Sequence, residues 1–102
     1  MTAIEETFKA IRQVCSANIW TQGVELVRLA AVDGVRDAED EIVCRVRTPK
    51  RAVAPTVRLY PIDEEWDCDC ESKAPCCEHI AAAIIAVRRA HQGGTTLQAN
   101  SS

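Results

Sequence analysis

The sequence predicts an α+β fold: an N-terminal helix, an antiparallel β-meander of three to four strands, a short turn dense in cysteine, and a C-terminal helix. Three observations predict it. Ile4, Phe8, Ile11 and Cys15 recur at helical spacing near the start. The middle of the chain alternates apolar with polar, most cleanly around Ile42-Val-Cys-Arg-Val46 and Thr56-Val-Arg-Leu-Tyr60. Near the end, Ile80-Ala-Ala-Ala-Ile-Ile-Ala-Val87 is an aliphatic, alanine-rich run of the kind that forms a helix.

The entering helix is expected over residues 2–17. Thr2 and Glu5 have capping-box spacing, and Glu5 with Lys9 has helical ion-pair spacing on the face away from Ile11. Residues 18–23 are read as a break, with Trp20 as a core anchor and Gly23 as a stop. Val24 to Val32 is read as a first strand whose uneven alternation calls for a bulge near Leu26. Asp33-Gly34 is a turn signal, and the acidic stretch 36–41 reads as loop. Residues 41–48 form a cleaner strand, with Ile42, Cys44 and Val46 inward and Arg45 and Arg47 outward. Residues 49–55 are a loop, 56–62 a strand with Val57 and Leu59 inward, and 65–70 a last extended piece. The second helix is expected over 78–90, burying Ile80, Ile84 and Val87.

With 102 residues the chain has room for one domain, 1–92, followed by a polar tail, 93–102, expected to be disordered. Aromatic residues make up only 4%, so the core rests on Val, Ile, Leu and Ala, and a structural metal would supplement it. The net charge of −3 does not suggest a protein held to nucleic acid by its overall field. No apolar run reaches the length of a membrane span. The opening Met1-Thr-Ala-Ile-Glu-Glu carries acid where a secretory leader would carry base, so a reducing, cytoplasmic setting is expected.

The chemistry is concentrated in Trp66-Asp-Cys-Asp-Cys-Glu-Ser-Lys-Ala-Pro-Cys-Cys-Glu-His79. Cys68, Cys70, Cys77 and His79 offer three thiolates and an imidazole, which fill a tetrahedral zinc site and leave no position for a substrate water. In an extended strand Cys68 and Cys70 face the same way, and Asp67 and Asp69 face the other. Cys77 and His79 lie about 200° apart on a continuous helix. They converge only if Cys77 sits in the turn and His79 opens the helix, whose positive end then favours the thiolates. The residues alone also allow Cys76 to take the place of Cys77, as a C-x-x-H pair. Lys73 reads as a loop residue.

Six cysteines also admit a disulfide framework, but neighbouring pairs such as Cys68–Cys70 or Cys76–Cys77 would close strained rings. A Cys–His nucleophile needs fewer ligands and a third, orienting residue that is not evident. Cys15 and Cys44 read as small buried hydrophobes, and His91 as a residue of the helix C-terminus. A redox role is a further reading, in which oxidation of Cys76 or of the ligand thiolates ejects the metal.

With the cluster set between a meander and an aliphatic helix, the chain resembles the SWIM zinc finger, whose pattern is C-x-C, a variable spacer, then C-x-H. The pattern maps onto Cys68, Cys70, Cys77 and His79, and this mapping favours Cys77 over Cys76. The resemblance extends over about residues 20–90 and implies a zinc knuckle between strands and helix, one zinc ion, and a role in binding DNA or protein. Nothing in the chain matches a nucleotide-binding loop. The expectation is a non-catalytic zinc-binding interaction module with a protein partner and no small-molecule substrate. Exposed acidic segments at 37–41 and 63–71 favour that partner. The alternative is DNA binding through Arg45, Arg47, Lys50, Arg51 and Arg58, with Tyr60 on the same side.

Overall fold

The computed structural model describes residues 3–38, 40–48, 54–70 and 76–94. Thr2, Lys50, Arg51, Lys73 and the tail from residue 95, each named above, lie outside the described residues.

Two helices, not one, precede the sheet. Helix α1 is Ala3–Val14 and helix α2 is Ala17–Arg28. Four strands follow, β1 (Val32–Asp37), β2 (Ile42–Val46), β3 (Thr56–Tyr60) and β4 (Glu65–Cys68), and then helix α3 (Glu78–Gln92). The strands form one antiparallel sheet in the order β1-β2-β3-β4, each paired with the next in sequence.

The expected strand 24–32 is therefore a correction. Ile19, Trp20, Gly23, Val24, Leu26 and Val27 recur at three- and four-residue steps, which is helical periodicity. The alternation that suggested a strand was the edge of this stripe. Ser16 caps the helix, its side chain accepting the Ile19 N–H at 3.2 Å. The helix ends in a Schellman turn: Ala30 takes φ 54°, its N–H bonds to the Val27 carbonyl, and the Ala31 N–H reaches back to Leu26. Alanine here occupies the place that glycine usually marks.

The stretch 33–37, read as turn and loop, is strand. Gly34 pairs with Cys44 and Arg36 with Val43, leaving Val35 as an extra, exposed residue at a bulge. Other expectations hold closely. Ile42, Cys44, Val46, Val57 and Leu59 point inward and are buried. In α1, Ile11 is fully buried, with Ile4, Phe8 and, just past the helix, Cys15 packed against the core.

Helix α3 lies between the sheet and the two N-terminal helices, touching all four strands on one side and α1 and α2 on the other. Its residues from His79 to Val87 are buried without a break, so the aliphatic face expected from Ile80, Ile84 and Val87 is in fact the whole circumference. Small side chains make this possible. Gly23 of α2 sits against Ala81 and Ala82: a methyl group on it would come within 2.6 Å of the Ala81 Cβ and 2.9 Å of the Ala82 nitrogen. Gly23 is thus a packing residue in mid-helix, not a stop.

Polar contacts fasten the layers. Arg88 of α3 meets the Glu5 carboxylate at 3.0 Å and stacks over Phe8, whose ring meets Trp20 of α2 edge-on. The buried Thr7 hydroxyl donates to the Pro61 carbonyl at 3.2 Å. His91 contacts Asp37 at 2.9 Å, joining the end of α3 to β1.

Cys15 and Cys76 are joined by a disulfide with Cα atoms 5.3 Å apart. This corrects the reading of Cys15 as only a buried hydrophobe. The strained rings expected of neighbouring cysteines do not arise, because this pair is 61 residues apart and meets only where α1 and α3 pack together. Cys44, by contrast, is a fully buried free thiol. Among the described residues no helix is long and apolar enough to cross a membrane.

Gly23→Ala should destabilise the fold by roughly 1–3 kcal/mol through overpacking, although alanine ordinarily stabilises a helix interior. An unchanged or raised urea midpoint would refute the close contact with α3. A second expectation concerns pH. Burial, and secondarily the Asp37 charge, push the Cys44 thiol up from 9.0 to about 12. Below pH 9 the thiol is protonated in both folded and unfolded chains. As pH rises from 9 towards 12 only the unfolded chain ionises, so stability falls by up to ~1.4 kcal/mol per pH unit. Measured between pH 8 and about 11, wild type should lose stability faster than Cys44→Val; parallel curves would show that the thiol is not held neutral.

Candidate metal centre

The centre is assembled where β4 runs out against the start of α3. Cys68 is the last residue of β4 and pairs with the inward-facing Val57, so its side chain points towards α3. Cys70, two residues on, keeps the same direction. Asp69 faces the opposite way, and its Oδ1 accepts the Thr56 N–H at 2.8 Å, holding the chain against β3 beyond the end of the paired strand. Cys77 occupies the N-cap of α3 in extended conformation, and His79 lies in the first turn. Turn followed by helix is the local geometry that a C-x-H pair needs for convergence.

The four ligand atoms of Cys68, Cys70, Cys77 and His79 all lie within 4.8 Å of one another. His79 Nδ1 is 3.6 Å from Cys77 Sγ and 3.8 Å from Cys68 Sγ, and the sulfurs of Cys70 and Cys77 are 3.6 Å apart. A tetrahedral zinc site with Zn–S arms of about 2.3 Å has edges of about 3.8 Å. The three separations of 3.6–3.8 Å match such edges, and the whole set lies within 4.8 Å. Cys77 and His79 are buried, at 3% and 2% exposure, while Cys68 and Cys70 are partly exposed, so an ion would be shielded on the side of Cys77 and His79 and more accessible on the side of Cys68 and Cys70.

The electrostatics favour a cation. A hydrogen bond from Cys68 holds the Cys77 thiol down at about 4 against the opposing effect of burial, aided by His79 and the Ile80 N–H. Cys68 is pushed up correspondingly, chiefly because it supplies that hydrogen bond and then because of burial. A sulfur drawn towards its thiolate form at a helix N-terminus is in the form a metal ligand needs.

Sequence reasoning missed Glu78. Its Oε1 stands 3.6 Å from His79 Nε2, on the far side of the ring from the sulfurs, so Nδ1 is the nitrogen turned to the cluster. A carboxylate behind a metal-facing imidazole is the usual arrangement around a ligating histidine. The signal was present, as an acid adjacent to a candidate ligand, but only the fold shows which ring nitrogen faces it. The structure also separates Cys76 from Cys77. The Cys76 sulfur is bound to Cys15, away from the cluster.

The basic residues are spread differently from the metal ligands. Arg45 and Arg58 both point outward from neighbouring strands, on diagonal positions, since Arg45 pairs with Thr56 and Val43 with Arg58. Arg58 lies 3.9 Å from Asp67 on β4. Arg47, just beyond β2, pairs with Asp33 at 3.1 Å and donates to the Ala30 carbonyl at 2.6 Å, tying the sheet to the end of α2. Arg36, which was not counted with the basic surface, shares the outer face through its pairing with Val43 and meets Glu41 at 3.4 Å.

Residues 56–88 match the family model of the SWIM zinc finger. The match begins with β3, takes in β4 and the Cys/His turn, and ends within α3, a narrower span than the 20–90 of the resemblance. The chain therefore carries a SWIM-type zinc finger, with α1, α2, β1 and β2 lying outside the matched segment. Comparison with the curated proteins and with the solved structures gave no match. The Cys3His cluster and the family match together support one zinc ion.

Elemental mass spectrometry should find one zinc per purified chain, lost in Cys77→Ser and retained in Cys76→Ser. Retention by Cys77→Ser together with loss from Cys76→Ser would transfer the ligand role to Cys76 and contradict the geometry.

Proposed function

We propose that this chain is a structural, non-catalytic zinc module, folded as one domain over residues 1–92, that mediates contacts with a protein partner. The four-donor centre supports the structural reading, because three sulfurs and an imidazole complete a tetrahedron without an open position for substrate. A cytoplasmic place suits ligand cysteines that must remain thiols to hold the ion.

The observation that carries the choice of partner is the ion pairing of the outer sheet face. Arg36, Arg47 and Arg58 meet Glu41, Asp33 and Asp67, at 3.4, 3.1 and 3.9 Å. A phosphate backbone approaching these arginines would have to displace or tolerate their carboxylates, and the net charge of −3 adds no long-range attraction. A mixed-charge face with Tyr60 among its residues suits a protein surface better. DNA binding through Arg45, Arg47 and Arg58 is the second reading. It is favoured by the diagonal placement of Arg45 and Arg58 with Tyr60 on the same face.

Fluorescence anisotropy with labelled duplex and single-stranded oligonucleotides distinguishes the two. Binding weaker than about 10⁻⁴ M at physiological salt is expected. Tight binding that collapses between about 50 and 200 mM salt, and that Arg45→Glu abolishes, would replace the protein reading with the nucleic-acid one.

A further inference from the structure

The metal centre uses Cys68, Cys70 and Cys77, and Cys44 is sealed in the core, which leaves Cys15 and Cys76 without a part in the zinc module. We propose that Cys15 and Cys76 are a redox-active pair that exchanges with small-molecule disulfides of the glutathione type and, when oxidised, clips the α1–α2 corner onto the zinc centre.

The geometry admits both the closed and the opened state, and the neighbouring free thiols favour a pair that is reversible. The Cα atoms are 5.3 Å apart, inside the usual range for a disulfide, so closure needs no backbone rearrangement. The opened state is also accommodated: the Cys76 sulfur lies 3.6 Å from the Cys77 carbonyl, which can accept its S–H. A permanent disulfide belongs to oxidising compartments, whereas the same chain holds three cluster cysteines that must stay reduced to serve as ligands. A pair that opens and closes satisfies both requirements.

Exposure sets the order of events. Cys15 is partly exposed at the junction of α1 and α2, and Cys76 is buried at 3%. The Cys15 thiolate attacks one sulfur of the external disulfide RSSR, forming a mixed disulfide and expelling RS⁻, which takes up a proton. Cys76, as thiolate, then attacks the Cys15 sulfur, closing the Cys15–Cys76 bond and expelling the second RS⁻, which is protonated in turn. Two protein thiols are oxidised, one external disulfide is reduced to two RSH, and the two protons released by the cysteines end on those thiols.

The consequence falls on the zinc. Cys76 is adjacent to Cys77, so the closed bond anchors a ligand-bearing residue to a helical corner 61 positions away in sequence. Movement of the Cys77 end of the centre then requires that corner to move as well.

The test uses the full zinc-loaded chain, equilibrated across mixtures of reduced and oxidised glutathione, alkylated, and mapped by mass spectrometry. Cys15 and Cys76 should lose alkylation together as the mixture becomes oxidising, with zinc retained throughout. Cys76→Ser should accumulate a glutathione adduct at Cys15, since no second thiol resolves it. Zinc transfer to a chelator should be roughly tenfold slower from the oxidised chain, a difference that Cys15→Ser abolishes. Alkylation of both cysteines at every ratio would overturn the proposal, and so would a bond that survives the most reducing mixture. A disulfide involving Cys68, Cys70 or Cys77 would overturn it as well. Equal zinc transfer from oxidised and reduced chains would remove the coupling to the metal centre.

Discussion

Everything in this small fold accommodates the burial of α3. A helix covered from His79 to Val87 on every side must be narrow, because sheet and helices close on it at once. Ala81, Ala82, Ala83 and Ala86 give it that width, and Gly23 lets α2 approach within methyl distance. Its isoleucines and valine then fill the space towards Ile11, Leu59 and Val57. A core this poor in aromatic residues gains its density from such close approach rather than from large side chains.

Burial of the helix brings a difficulty at its start. The first N–H groups of any helix lack partners within it, and a helix N-terminus carries partial positive charge. Here that end is placed against the exit of β4, where Cys77 is drawn towards its thiolate form by Cys68, His79 and the Ile80 N–H. The metal centre thus answers two needs of the fold: it occupies the positive end of α3 with anionic sulfur, and it ties that end to the sheet. Glu78, 3.6 Å behind the histidine ring, and Asp69, which holds the approach of Cys70, make up the surroundings of the ligands.

Much of the fold and of the site was legible in the residues because it depends on local periodicity. Alternation located β2 and β3 to within a residue or two, and the rule that residues two apart share a strand face correctly put Cys68 and Cys70 together. Helix α2 was misread because Gly23 looked like a terminator and Ala30 gave no sign of being one. Local propensity weighs glycine against helix, whereas here its missing Cβ is a tertiary requirement. Strand β1 is obscured by a bulge that breaks alternation, and by acidic residues, Asp33 and Asp37, whose partners Arg47 and His91 lie on other segments.

By itself, then, the sequence determined the order of strand, knuckle and helix around the cysteines and three of the donors, Cys68, Cys70 and His79, with Cys76 and Cys77 as alternatives for the fourth, since these follow from short steps along one chain. The tertiary structure alone decided the rest. It assigned Cys76 to Cys15, showed which histidine nitrogen faces the sulfurs, paired the outward arginines with acids, and covered α3 on all sides. Each of these joins residues that are distant in sequence or selects one orientation of a side chain, and such choices are made by packing, which no local pattern encodes.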